Sequence, residues 1–310
     1  VRADIRYNNI IDSDEARIAQ ARADKAPETP AERINADEFY ITQQYHRYTP
    51  ENHDVWRDMF DRRWGVLEQQ VSRTFIEGLR VLKLSRDRLP LLDDLTLDRD
   101  VTVAGGVVLP AGTKLEGINR YLKAVSDWSS YGVPGYLPAK AFFACLAQRE
   151  FPTTVLIRPR ETMDYLPEPD IFHDVFGHVP LHANRVFADF LQTYGRAALM
   201  CEDEHHIKRL GRLFWFTVEF GLIREEGRVK IYGSGLVSSH GESAYSLESD
   251  KPERRPFDLE RVCETDFEID HYQPIYYVLE SFEQLRDAMN EYAERVIGKA
   301  AMRRAETRAA

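Results

Sequence analysis

The chain has 310 residues, 43% hydrophobic and 30% charged, with 41 basic against 51 acidic side chains and a net charge of −10. That length buries a core without disulfide or metal staples, and the composition is that of a globular rather than a disordered protein. The acidic balance lacks the footprint of a nucleic-acid binder, no run reaches the roughly 18 apolar residues of a membrane span, and the first segment lacks the basic-then-apolar order of a secretory leader. Cys145, Cys201 and Cys263 stand far apart and outside any CxxC pair, so neither a disulfide framework nor a thiolate zinc site is expected. The expectation is a cytoplasmic monomer whose partners are small molecules, with no nucleic acid and no membrane.

Residues 1–36 mix charges with Ala and Pro and predict a loosely held arm, ahead of one folded domain over 37–300 and a flexible tail over 301–310. Thr49-Pro50-Glu51 opens a long or broken helix whose buried stripe runs through Val55, Met59, Phe60, Leu67, Val71, Phe75, Leu79 and Leu82. Glycine-punctuated strands follow in VTVAGGVVLPAGTKLEG, then an irregular stretch from Trp128 to Pro138. The pattern is helical from Ala139 to Glu150 and extended through TTVLIR. Helices are predicted at about 170–177, 184–200 and 203–222, then a strand over VKIYGSGLV and a short helix after Ser239. The extended run EIDHYQPIYYVL precedes a last helix opened by Ser281 and Gln284. The fold class is mainly α with a few short β-strands in a single domain.

The chemistry concentrates in Glu168–Leu181, EPDIFHDVFGHVPL, where His173 and His178 stand five residues apart. In an unbroken α-helix five residues turn about 500°, leaving the two rings about 140° apart. The reading is therefore that the helix ends between them, at Gly177 before Pro180, and that His178 swings back on the exit turn. Glu219 is the lone charge in the apolar run Leu213–Ile223, and a buried carboxylate requires a positive or metallic partner. Two histidines and a carboxylate with no cysteine nearby form the ligand set of the facial triad that holds non-haem Fe(II). Histidines satisfied beside a core, and an arginine facing Glu219, are the competing accounts. His205 and His206 read as surface, and His46, His53, His182, His240 and His271 as structural.

Together EPDIFHDVFGHVPL, WFTVEFGL, YGSGLVSSHGE and YQPIYYVLESF resemble the pterin-dependent aromatic amino acid hydroxylases, most closely the compact bacterial phenylalanine hydroxylases, from about Gly135 to Asp287. The resemblance implies a largely helical catalytic domain, mononuclear Fe(II), tetrahydrobiopterin or a related tetrahydropterin, O₂ as co-substrate, and ring hydroxylation of free L-phenylalanine to L-tyrosine. It places His173, His178 and Glu219 at the iron. It further implies that Arg158 clamps the amino-acid carboxylate, that Trp215 walls the ring pocket with Ile269, and that Pro167, Gly235 and Ser239 line it. Ser238 would orient a ligand histidine. Gly135, Leu137, Phe142 and Asp174 would face the pterin, Phe142 by stacking. Tryptophan-specific relatives commonly carry Phe at the place of Trp215, and tyrosine-specific ones an aspartate at the place of Ile269, so phenylalanine is favoured. A hydroxylase of tryptophan or tyrosine, a zinc-dependent hydrolase and a non-catalytic amino-acid-binding protein are the alternatives.

Overall fold

The computed structural model describes residues 10–163, 169–269 and 271–298, with the backbone alone at Glu32. Helix α1 (Ser13–Ala23) is opened by Asp12, whose carboxylate accepts the N–H groups of Asp14 and Glu15. The loose arm expected over 1–36 is thereby corrected for residues 10–36. Ile10, Ile11 and Ala19 join the main core, and Ala23, Ala26 and Ala36 close a second cluster with Phe39, Val133, Leu137, Ala141 and Cys145. The buried stripe is largely alanine, so it leaves almost no hydrophobic period in the sequence.

Helix α2 (Pro50–Gln70) begins where Thr49 and Asn52 cap each other reciprocally, and Val71 and Ser72 separate it from α3 (Arg73–Leu82), which stops on Lys83 at φ 50°. Two antiparallel ladders follow, β1 (Leu95–Thr96) with β4 (Lys114–Leu115) and β2 (Val101–Thr102) with β3 (Val108–Leu109). After α4 (Asn119–Ser126), the stretch expected to be irregular contains strand β5 (Ser129–Val133). It pairs in parallel with β6 (Glu150–Thr154) across α5 (Ala139–Ala147). Its residues have little strand pattern of their own. The buried Asn119 side chain holds them, donating to Ser130 O at 2.8 Å and accepting Ser130 N–H at 2.6 Å.

A π-helical turn (Phe172–His178) runs straight into α6 (Val179–His182), followed by α7 (Arg185–Met200) and α8 (Glu204–Phe214), which ends in a second π-helical turn (Trp215–Glu219). The predicted helix over 203–222 thus stops early, because strand β7 (Leu222–Glu225) begins at once and hairpins onto β8 (Arg228–Ile231). The strand expected over Val229–Val237 likewise ends at Ile231. Tyr232 and Gly233 both donate their N–H to Gly221 O, turning the chain into α9 (Ser234–Ser238) and α10 (His240–Glu248). Strand β9 (Glu253–Pro256), α11 (Leu259–Glu264), β10 (Ile275–Leu279) and α12 (Phe282–Val296) complete the described chain. In the four-stranded sheet β10 lies between β7 and β9, parallel to both.

Packing fixes the first π turn from outside. Trp56 and Phe60 of α2 meet Phe172 and Phe176 edge to face at 5.4 and 5.3 Å. Helix α3 crosses α6 so closely that a Cβ on Gly78 would lie 1.9 Å from Pro180 O. No helix among the described residues is long and apolar enough to cross a membrane.

Candidate metal centre

The helix does not end between His173 and His178. Its turn widens instead, and Val179 N–H bonds to Asp174 O, five residues back. In that geometry residues five apart stack on one face, so the spacing that separates two rings on an α-helix brings them together here. Pro180 follows directly after Val179 in α6 and has no N–H with which to extend the widened pattern. The ring centroids of His173 and His178 are 4.8 Å apart and their Nε2 atoms 3.1 Å apart. The second π turn, in which Phe220 N–H bonds to Trp215 O, ends at Glu219 and turns its carboxylate to the same point.

Glu219 Oε1 lies 3.2 Å from His178 Nε2, and Oε2 lies 3.6 Å from His173 Nε2. The three prospective ligand atoms fall within 4.8 Å of one another, the one such cluster among the described residues. Burial works to raise the Glu219 carboxyl, but His178, His173 and the Ser234 hydroxyl hold it down to about 2. Burial likewise pushes His173 down to about 4, against the pull of Glu219. A carboxylate and a neutral imidazole are the forms that bind a metal. The arginine considered for Glu219 is not what meets it.

Ser238 Oγ lies 3.0 Å from His173 Nδ1 and donates to Ser234 O at 2.8 Å, which leaves Nε2 of that ring facing the centre. Helix α9, which carries both serines, is held by the buried Arg63, donating to Val237 O at 2.6 Å. Ser234 escaped the sequence reading. Its Oγ lies 2.8 Å from Glu219 Oε2 and 3.0 Å from His178 Nε2, and a lone serine in a Gly-Ser-Gly run gives no signal for that.

The residues expected around the amino acid are distributed unevenly. Arg158 is buried and forks onto Asp170, with Nε to Oδ2 and Nη2 to Oδ1 both at 2.8 Å. Asp170 Oδ1 also accepts His173 N–H at 3.0 Å, so the arginine and a ligand histidine share one carboxylate. Although burial works to raise it, the Arg158 fork and these N–H groups keep the Asp170 carboxyl below its ordinary value. Trp215 stacks on Phe267 at 4.4 Å, leans on Phe220 at 4.6 Å and donates Nε1–H to Gln273 at 3.1 Å. Gly235 packs against the same region, since a Cβ there would meet Phe220 at 3.0 Å. Ser239 caps α10 by accepting Glu242 N–H. Pro167 lies outside the described residues.

Ile269 is not in a pocket wall. It is 72% exposed, because Phe267 and Gln273 anchor their loop on Trp215 and leave the residue between them facing outward. Phe267 takes the place beside the tryptophan, and no helical or strand period marked it. Of the residues expected to face the pterin, Phe142 is half-buried, edge-on to Phe214 at 5.6 Å. Gly135 has open space around its Cα, whereas the Leu137 side chain is buried in the alanine-rich second cluster. Asp174 turns inward, accepting Thr154 N–H at 2.7 Å, and burial pushes its carboxyl up to about 7 against His178 and that N–H group. His182, expected to be structural, is buried against Trp128 at 4.8 Å.

Residues 109–305 match the family described as biopterin-dependent aromatic amino acid hydroxylase. The chain is 41% identical over 251 residues to a phenylalanine-4-hydroxylase of Ralstonia nicotianae, covering 81% of this chain and 73% of that protein. The chain belongs to the biopterin-dependent aromatic amino acid hydroxylases. It is 39% identical to the phenylalanine-4-hydroxylase of Chromobacterium violaceum, over 82% of this chain and 78% of that one. A crystal structure of phenylalanine hydroxylase from that organism with bound Fe(III) superposes at a TM-score of 0.74, with 36% identity, 89% of this chain and 92% of that one. A cobalt-bound structure superposes at 0.72, with 38% identity, 83% of this chain and 84% of that one. The hydroxylase therefore works with iron, a tetrahydropterin and O₂. The donor set fits this iron, since two imidazoles and one carboxylate converge from one side and the rest of the coordination sphere is left to other ligands.

Proposed function

We propose that the hydroxylase converts free L-phenylalanine to L-tyrosine, with His173, His178 and Glu219 holding Fe(II). The observation that carries this reading is the convergence of those three donors within 4.8 Å in a chain 41% identical to a phenylalanine-4-hydroxylase. Iron and tetrahydropterin together supply the activation of O₂. The chain's own residues bind, orient and shield. Ser238 fixes the face that His173 presents, and Asp170 ties His173 to Arg158. Arg158, held in its fork by Asp170, supplies the positive charge for the amino-acid carboxylate, and Trp215, backed by Phe267, forms the flat wall against which the ring lies. Phe142 offers an aromatic edge to the pterin, with the backbone of Gly135 and Leu137 alongside. Asp174 acts on the pterin side through its grip on β6. The working compartment we assign is the cytoplasm, and the working state a monomer. The test is anaerobic reconstitution with Fe(II), then phenylalanine, tetrahydropterin and air, with the product identified by chromatography. Tyrosine formed in proportion to tetrahydropterin consumed is the expected result, and no tyrosine from the iron-loaded protein would refute the reading.

A further inference from the structure

We propose that Ser234 sets how Glu219 binds the metal, by holding Oε2 so that Oε1 alone is offered as a ligand; this rests on the metal-centre reading above. A serine hydroxyl has one proton to give, and Ser234 Oγ has three neighbours that could take it: Glu219 Oε2 at 2.8 Å, His178 Nε2 at 3.0 Å and Val218 O at 3.3 Å. The side chain is buried, with 1% of the residue exposed, so water does not compete. A histidine nitrogen that gives its lone pair to a metal cannot also accept this proton, and the Val218 carbonyl is neutral and farther away. The carboxylate oxygen is nearest and carries charge, which makes it the strongest acceptor of the three.

The two oxygens of Glu219 then differ. Oε2 shares its electron density with the Ser234 proton, while Oε1 faces His178 Nε2 at 3.2 Å and receives no hydroxyl or amide proton among the described residues. The less encumbered oxygen is the better metal ligand. A carboxylate bound through one oxygen leaves one more coordination position open than a carboxylate bound through two. Ser234 cannot easily withdraw from this role. A Cβ on Gly177 would lie 3.2 Å from both Ser234 Cβ and Ser234 O, so α9 rests directly on the first π turn. Arg63 grips the same helix at Val237 O. Helix α9 thus carries two serines with separate duties: Ser238 acts on the outer nitrogen of His173, and Ser234 on the Glu219 oxygen that is withheld from the metal. Ser234 is a positioning residue, acting through Glu219.

The test is titration of the metal-free full chain with Co(II), reading the visible d–d band at saturation, whose intensity falls as the number of ligands around cobalt rises. Ser234→Ala removes one buried atom and leaves the fold to be checked by near-ultraviolet circular dichroism. The expected result is a loss of band intensity against wild type, as the released Oε2 joins the metal. Ser238→Ala is the control. It should weaken Co(II) binding about 10-fold through the histidine and leave the saturated band at its wild-type intensity. An unchanged band in Ser234→Ala, whatever its affinity, would overturn the proposal, and so would an equal loss in Ser238→Ala. Wild-type protein that takes up no Co(II) would instead overturn the metal centre itself, and the role of Ser234 with it.

Discussion

His173 is held inside the protein by Ser238 and Asp170, Glu219 by Ser234, and His178 is buried, whereas the residues expected to meet the organic molecules divide between packed walls and solvent. On that second side Ile269 is 72% exposed, although Trp215 and Phe142 are packed. Backbone geometry accounts for the contrast. The three prospective donors come from two π turns whose widened hydrogen-bonding pattern is fixed by the surrounding core, while several of the residues expected at the organic molecules lie on the loops around 134–138 and 265–269. A centre that must keep three donors within a few ångströms gains from rigidity. A site that must admit and release two planar molecules gains from loops that open to solvent.

The largest effect that bears on this contrast is loss of the metal. His173→Ala, His178→Ala and Glu219→Ala are each expected to reduce bound iron to background and abolish hydroxylation, while circular dichroism stays that of a folded protein. The core around α2, α7 and α12 closes without a metal. Retained iron with wild-type turnover in any one of them would remove that residue from the centre.

Arg158→Lys comes next, because it loosens both sides at once. Lysine keeps the charge but loses the fork onto Asp170, the carboxylate that also receives His173 N–H. We expect the Michaelis constant for phenylalanine to rise about 10-fold or more, the constant for tetrahydropterin to move less, and stability to fall by about 1–3 kcal/mol. Unchanged phenylalanine kinetics with lowered stability would make Arg158 purely structural.

How much of this was open to the sequence depends on which interaction carries each part. The donors His173, His178 and Glu219 were legible because charge in an apolar run is conspicuous, and the capped starts of α2 and α12 because Thr49 and Ser281 are local signals. The reason the two histidines meet was not legible. A π turn leaves the same residues in the same order as an α-helix that ends, so the sequence reading placed an exit at Gly177 where the helix continues. Ser234, Phe267 and Gln273 were missed because their roles exist only once α9 and the loop after α11 are folded against the second π turn. Helix α1 was missed because alanine buries well yet barely registers as hydrophobic.

That helix offers the third test, a moderate one. Removing residues 1–36 would strip Ala23, Ala26 and Ala36 from the cluster that holds Leu137 and Ala141, and would remove the acceptor of the Lys140 ammonium, Thr29 O at 2.6 Å. The expected result is a melting temperature lower by several degrees, at roughly 2–4 °C per kcal/mol for a chain of this size. Tetrahydropterin should bind several-fold more weakly while iron content is unchanged. Equal losses of pterin and iron binding would show that the two sides are not separable in this way.

The smallest effects concern the choice among rings, where the structure separates two residues that the sequence reading joined. Trp215 is packed against Phe267 and Phe220, and its Nε1–H is satisfied by the buried Gln273. Trp215→Phe loses that hydrogen bond at a cost of about 1 kcal/mol and enlarges the space in front of it. Turnover of tryptophan relative to phenylalanine should therefore rise several-fold in a mixture of equal phenylalanine, tyrosine and tryptophan under saturating tetrahydropterin. Ile269, facing solvent, cannot strip water from a tyrosine hydroxyl in this arrangement, and an apolar wall rejects an added hydroxyl only modestly even when it is in contact. Ile269→Ala should accordingly shift the phenylalanine-to-tyrosine ratio by less than about two-fold, within the range of about 0.4 kcal/mol. A ten-fold shift would mean that the loop after α11 folds inward over the bound amino acid and carries Ile269 with it, and the exposed side of the centre would then belong to the resting protein alone.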